Sequence, residues 1–232
     1  FPAEFAPHTA TWLSWPHKEE SWPGKLDSVY APYSEFIKYV TLGEIVNINV
    51  ADEAMKAFAL AHLEKAGVNL ANIRFHFFPT NDAWCRDHGP AFLINPDADV
   101  KKVLVKWDYN AWGNKYPPHD LDNQIPIKIA AELGIPCFKP GIVMEGGSVE
   151  FNGKGTLLTS EACLLNENRN PQLNQAQIER YLQDYYGVNH ILWVGDGIIG
   201  DDTDGHIDDI TRFVNEDTVV TVVEENKSDE NH

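Results

Sequence analysis

The chain has 232 residues, 43% hydrophobic and 11% aromatic, enough apolar surface for a sizeable core, which excludes a disordered segment or a disulfide mini-protein. Asp and Glu number 35 against 18 Lys and Arg, a formal net charge of −17. Such a surface repels phosphate backbones and suits a small cation, so nucleic acid is not an expected partner.

Three cysteines, Cys85, Cys137 and Cys163, form no CxxC and cannot all pair, which points to a reducing cytoplasm. No apolar run reaches the ~18 residues of a membrane-spanning helix, so no membrane partner is expected. The chain opens on Phe1-Pro2 rather than Met. The expectation is a missing N-terminus, with a signal peptide before Phe1 left open.

Strand-like runs alternate with helical stretches without a linker, so one α/β (α+β) domain over residues 1–232 is expected. Ile45 to Val50 alternates apolar and polar residues and predicts a half-buried strand. Asp52 then caps a helix carrying Met55, Phe58, Ala59 and Leu63 on one face, stopped at Gly67. Arg74 to Phe78 reads as the next strand. Asn152-Gly153 between apolar runs signals a hairpin. A second long helix is expected after Asn170, with Pro171 at its first position and Gly187 past its end. Ile191 to Val194 is a further strand, and Arg212 to Val223 a hairpin turning at Asn215-Glu216-Asp217.

Three polar clusters fall between these elements, where loops carry function. Asn81 to Pro90 gathers ionisable side chains beside Trp84, although an exposed turn ended by Gly89-Pro90 fits the same composition. In Glu145-Gly146-Gly147 the glycines let the backbone approach a neighbour closely. Neither this segment nor Asn152 to Thr156 fits a phosphate loop, which needs Lys-Ser/Thr after its last glycine. Gly200 to Asp209 holds five aspartates around His206. Aligned on Gly205 as a calcium loop, it has Gly200 and Thr211 where Asp and a bidentate Glu belong, so that reading fails. Zinc would use His206 and Asp208, but no HExxH or Cys pair completes the ligands. If the segment enters a strand, His206 and Asp208 share a face and Ile207 points away. A solvated acidic loop is the bland alternative.

Taken together, Thr11 to Pro16, Trp84 to Pro90, Glu145 to Gly147, Thr159 to Pro171 and Gly200 to Asp209 resemble the agmatine deiminases and the related Porphyromonas-type peptidylarginine deiminases. The motifs stand in that family's order across nearly the whole chain. The resemblance implies a pentein fold, a β/α propeller of pseudo-fivefold ββαβ units around a central active site. It also implies hydrolysis of a guanidinium to a ureido group and ammonia, here agmatine to N-carbamoylputrescine through a Cys-thiouronium intermediate, without metal or cofactor. Peptidyl arginine is the alternative substrate, because it presents the same reacting group.

Carried over by position, Asp87 and Asp208 grip the guanidinium nitrogens as paired acceptors. His206 is the general acid and base, its pKa expected to be raised by nearby carboxylates. Glu145 orients it, and Trp84 offers a π-face to the cation in the substrate channel. The family's nucleophilic Cys lies well beyond His206, and no Cys follows Cys163 here. The expectation is a truncated chain with three to four of five units, the nucleophile beyond His232 and the fragment alone inactive. Cys85 falls at a variable position of its motif, and Cys163 reads as core. Apolar edges left by missing units make a homo-oligomer a possible assembly. A sugar-active hydrolase with paired carboxylates leaves His206 and Glu145 without work. A non-catalytic guanidinium-binding fragment is the third reading.

Overall fold

The computed structural model describes all of residues 1–232. Its first layer is Ala10–Ser14 (β1), the helix Leu26–Val40 (α1), Ile45–Asn49 (β2), the helix Glu53–Ala66 (α2) and Ile73–His76 (β3). β2 lies between β1 and β3, parallel to both, so each connection is a helical crossover. Val46, Ile48, Ile37, Ala59 and Leu63 form the centre of its apolar core.

The Asp52 side chain accepts the Met55 amide at 2.9 Å, and Gly67 ends α2 at φ 74°, as the sequence predicts. The apolar stripe is narrower than expected. Ala59 and Leu63 are buried, but Phe58 is 45% exposed, lying edge-on to the Tyr30 ring.

A single helical turn, Cys85–His88 (α3), leads into Ala91–Ile94 (β4) and Lys102–Val105 (β5). After the irregular turn Ala111–Asn114 (α4), the helix Ile125–Leu133 (α5) returns to Cys137–Phe138 (β6). β4 and β5 pair antiparallel, and β5 and β6 pair parallel.

The pattern then repeats. Val149–Phe151 (β7) and Thr156–Ser160 (β8) form an antiparallel pair, Glu161–Leu164 (α6) and Gln175–Tyr186 (α7) follow, and His190–Val194 (β9) pairs parallel with β8. Thr211–Phe213 (β10) and Val219–Thr221 (β11) form the predicted antiparallel hairpin. The molecule thus holds three three-stranded sheets and one hairpin, the second and third sheets each built as ββαβ.

Two local expectations resolve differently. The Asn152-Gly153 hairpin forms, with Asn152 Oδ1 accepting the Lys154 and Thr156 amides. Pro171, however, is not the first residue of α7. Asn174 caps that helix in a reciprocal capping box with Gln177, satisfying amides that Pro171 has no means to cap.

The turn between each sheet and its next element points inward. α3 contacts the turn Gly146–Ser148, which in turn contacts Ile207–Asp209. The three polar clusters of the sequence therefore meet at one place.

Candidate active site

Asp87 sits on α3, its amide bonded to the Trp84 carbonyl at 3.0 Å, and its side chain is buried. The carboxylate accepts the Gly147 amide at 3.1 Å and Trp112 Nε1 at 3.3 Å. Both glycines after Glu145 are required by close approach. A Cβ on Gly146 would collide with the Arg86 carbonyl, and one on Gly147 with His206, Asp87 and Asp208. Gly147 is the floor of the cluster.

His206 and Asp208 reach the same centre, but not from a strand. Ile207–Asp209 forms a 3-10 turn. Asp201 winds the preceding loop by accepting the Thr203 and Gly205 amides and the Thr203 hydroxyl, a local bonding pattern that competes with extended pairing. Ile207 is fully buried on the other side. His206 Nδ1 lies 3.6 Å from Asp87 Oδ1 and 3.9 Å from Asp208 Oδ1. The shared orientation holds, although the element expected to produce it does not.

Glu145 is fully buried, with Oε1 held by Arg169 Nε at 2.6 Å. Its other oxygen and His206 Nε2 have no hydrogen-bond partner, and ligand atoms of Glu145, Cys163 and His206 lie within 4.8 Å of one another. Glu145 and His206 are thus neighbours without a hydrogen bond between them.

Burial dominates the electrostatics. It raises the Asp87 carboxyl well above its ordinary range, with Glu145 and Asp208 adding to the effect and the Gly147 amide opposing it. Asp208 is pushed up to about 6, again chiefly by burial, against the Arg86 guanidinium. Two such carboxyls cannot both be charged cheaply unless a cation lies against them.

His206 departs from expectation. Burial first, then Arg169, pushes its pKa down to about 3, and Asp201 and Asp204 do not compensate.

Trp84 is 38% exposed. Its ring stacks on Trp22 at 5.4 Å and meets Trp112 edge-on at 6.0 Å, an aromatic wall leading to Asp87. Cys85 is half-buried, its Sγ 3.0 Å from Ser14 Oγ, and burial pushes the thiol up to about 12. Cys163 belongs to the main apolar core, as expected, although it also borders Glu145 and His206. Burial raises its pKa well above the usual range, so it stays a thiol.

A metal reading fares no better here than in the sequence. The only buried ligand-like trio is Glu145, Cys163 and His206, not His206 with Asp208. Glu145 of that trio is already paired with the Arg169 guanidinium, and Cys163 belongs to the apolar core. That donor set is poorly matched to a cation.

Sequence reasoning gave no role to Trp112 or Arg169. Trp112 reaches Asp87 only because Ala111, Trp112 and Asn114 adopt left-handed backbone at φ 49°, 55° and 63°, which no local composition beyond Gly113 announces. Arg169 sat in a quoted motif, but its charge pointed outward as readily as inward.

The whole chain, residues 1–232, matches the family described as Porphyromonas-type peptidyl-arginine deiminase. It is 36% identical over 236 residues to the agmatine deiminase of Pseudomonas syringae pv. tomato, covering 100% of this chain and 62% of that protein. The structure resembles a Cys-to-Ser variant of Campylobacter jejuni agmatine deiminase with substrate bound, at 33% identity and TM-score 0.87, covering 99% of this chain and 66% of that one. It also resembles the Enterococcus faecalis agmatine deiminase, at 33% identity and TM-score 0.88, covering 98% and 61%. The chain spans under two thirds of the length of the curated relatives it matches. Three sheets, two of them ββαβ, and these matches give the chain the pentein fold, and it belongs to the Porphyromonas-type peptidyl-arginine deiminase family.

Proposed function

We propose that these residues form the guanidinium site of an agmatine deiminase, which hydrolyses agmatine to N-carbamoylputrescine and ammonia. The observation that carries this reading is the meeting of Asp87, Asp208 and His206 over Gly147. Two neighbouring carboxyls with raised pKa values, Asp87 buried and Asp208 half-buried, are a good receptor for a planar cation with forked N–H donors. The names of the relatives support agmatine over a peptide, and the net charge of −17 suits a dication.

The reaction needs a thiol, and Cys85, Cys137 and Cys163 do not supply it. Cys137 lies on β6, outside the cluster. The nucleophile is therefore assigned to a Cys outside residues 1–232. Neutral His206 takes that thiol's proton as sulfur bonds to the guanidinium carbon, and imidazolium then donates it to the departing nitrogen as the C–N bond breaks. Ammonia leaves and a thiouronium remains. His206 next removes a proton from water, whose oxygen bonds to the same carbon; the C–S bond breaks, imidazolium returns its proton to the departing thiolate, and the ureido product leaves as its oxygen gives up the second proton to ammonia or solvent. Glu145, paired with the Arg169 guanidinium and close to His206, stabilises the imidazolium formed in each half. The three free thiols fit a reducing cytoplasmic setting.

The test is ammonia release by the full-length protein given agmatine or a peptidyl-arginine substrate. Release from agmatine, with little from the peptide, supports the proposal. Release from the peptide alone would redirect the substrate, and release from neither would sink the reading.

A further inference from the structure

The guanidinium of Arg169 is completely enclosed and divides its donors between Glu145 and the loop that carries His206. Nε bonds to Glu145 Oε1 at 2.6 Å, while Nη1 bonds to Asp204 Oδ2 at 2.7 Å and Asn168 Oδ1 at 2.6 Å. Nη2 donates to the Thr203 carbonyl at 2.8 Å. Glu145 precedes the glycine turn, whereas Thr203 and Asp204 belong to the loop that carries His206. One planar cation therefore fixes the distance between two segments that are far apart in sequence.

Buried ionic pairs are weak evidence for stability, since desolvation offsets much of their attraction. This one has a second consequence. With Oε1 occupied, Oε2 is the Glu145 oxygen left without a partner, as is Nε2 of His206, and the two side chains have ligand atoms within 4.8 Å of one another. The chain of charges continues outward, because Lys115 Nζ bonds to Asp204 Oδ1 at 2.6 Å and to the Asp202 carbonyl at 2.6 Å. Lys115 follows directly on the turn whose Trp112 holds Asp87.

We propose that Arg169 is a positioning residue for the deiminase reaction: it holds Glu145 and the His206 loop in register, so that the Glu145 carboxyl stays close to the His206 ring. The inference rests on the functional reading above. Arg169 touches no reacting atom and acts on turnover through Glu145. Lys does not replace it, because a single ammonium cannot span Glu145, Asp204 and Thr203 with fixed geometry.

The experiment is steady-state ammonia release from agmatine in the full-length protein, comparing wild type, Arg169→Lys, Glu145→Gln, the double variant and Asp204→Asn. Arg169→Lys should lower kcat about ten- to hundredfold, with KM within about threefold, because misplacement of reacting groups costs turnover rather than affinity. The double variant should be no slower than Glu145→Gln by more than about threefold, since Arg169 acts on turnover through Glu145. Asp204→Asn keeps the shape of the loop, and it should lower kcat in the same sense by a smaller factor. It answers the question should Arg169→Lys fail to fold. Wild-type kcat in Arg169→Lys and Asp204→Asn, with Glu145→Gln crippled, overturns this inference alone and makes Arg169 merely structural. Losses that multiply in the double variant overturn it too. A folded wild type that releases no ammonia overturns the functional reading and the inference with it.

Discussion

The β1–β3 layer and the polar centre are both buried, yet they are held together by opposite means. In the layer, Val46, Ile48, Ile37 and Leu63 are fully buried and pack as a continuous apolar cluster, with the few buried polar groups, such as Ser14 and Asn49, at its margin on β1 and β2. At the centre, Asp87, Glu145, Arg169 and His206 are equally enclosed, and two of their polar atoms have no partner. Apolar burial contributes stability in proportion to area. Burial of ionisable groups costs stability and yields shifted pKa values, the usual mark of a working site. The contrast teaches where each kind of substitution should be felt.

Leu63→Ala should cost about 2–5 kcal/mol of stability by opening a cavity, while leaving the KM for agmatine unchanged. Thermal melts and kinetics of the same preparation check both halves. A large change in KM at intact stability would mean that the layer and the site are not separable.

His88 extends the comparison to acid. It is buried next to Asp87, its ring nitrogens lack partners, and burial pushes its pKa down to about 4. Its folded value is below its unfolded one, so the unfolded chain binds the extra proton. The contribution is present above about pH 6.5 and lost as pH falls toward 4, on the order of 3 kcal/mol in all. In His88→Phe the acid side of the stability profile should flatten by that amount relative to wild type. Parallel profiles in urea titrations at pH 7 and pH 4.5 would remove His88 from the acid response.

Gly147→Ala is expected to act on chemistry. The added methyl would lie against His206, Asp87 and Asp208 at once, and displacing them by an ångström costs about a hundredfold in kcat/KM. Asp52→Ala should do least. Loss of the cap on α2 costs about 1 kcal/mol and nothing in turnover.

The same contrast explains what the sequence could reveal. Period-two alternation in Ile45 to Val50, and Asp52 with Gly67 around α2, are local signals, and those elements are present as expected. The capping box at Asn174 was equally local but was overshadowed by Pro171. The residues of the centre were visible as clusters, because Glu145-Gly146-Gly147 and Asp87 are unusual neighbours for a strand end. Their meeting was not visible, since it depends on three turns far apart in the chain. The extended reading of His206 to Asp208 failed for a related reason. Asp201 wound its loop through three short-range bonds, and Arg169 then fastened it. The sign of the His206 shift followed burial, which the sequence does not display, rather than the density of nearby carboxylates, which it does.

The account turns on Asp87 and Asp208 as the receptor for the cation, and steady-state kinetics of Asp87→Asn and Asp208→Asn in the full-length protein test this most directly. Each substitution removes a charge-assisted interaction of about 1.5–3 kcal/mol, so each variant should lose about ten- to hundredfold in kcat/KM for agmatine. Wild-type kinetics in both variants would contradict the assignment.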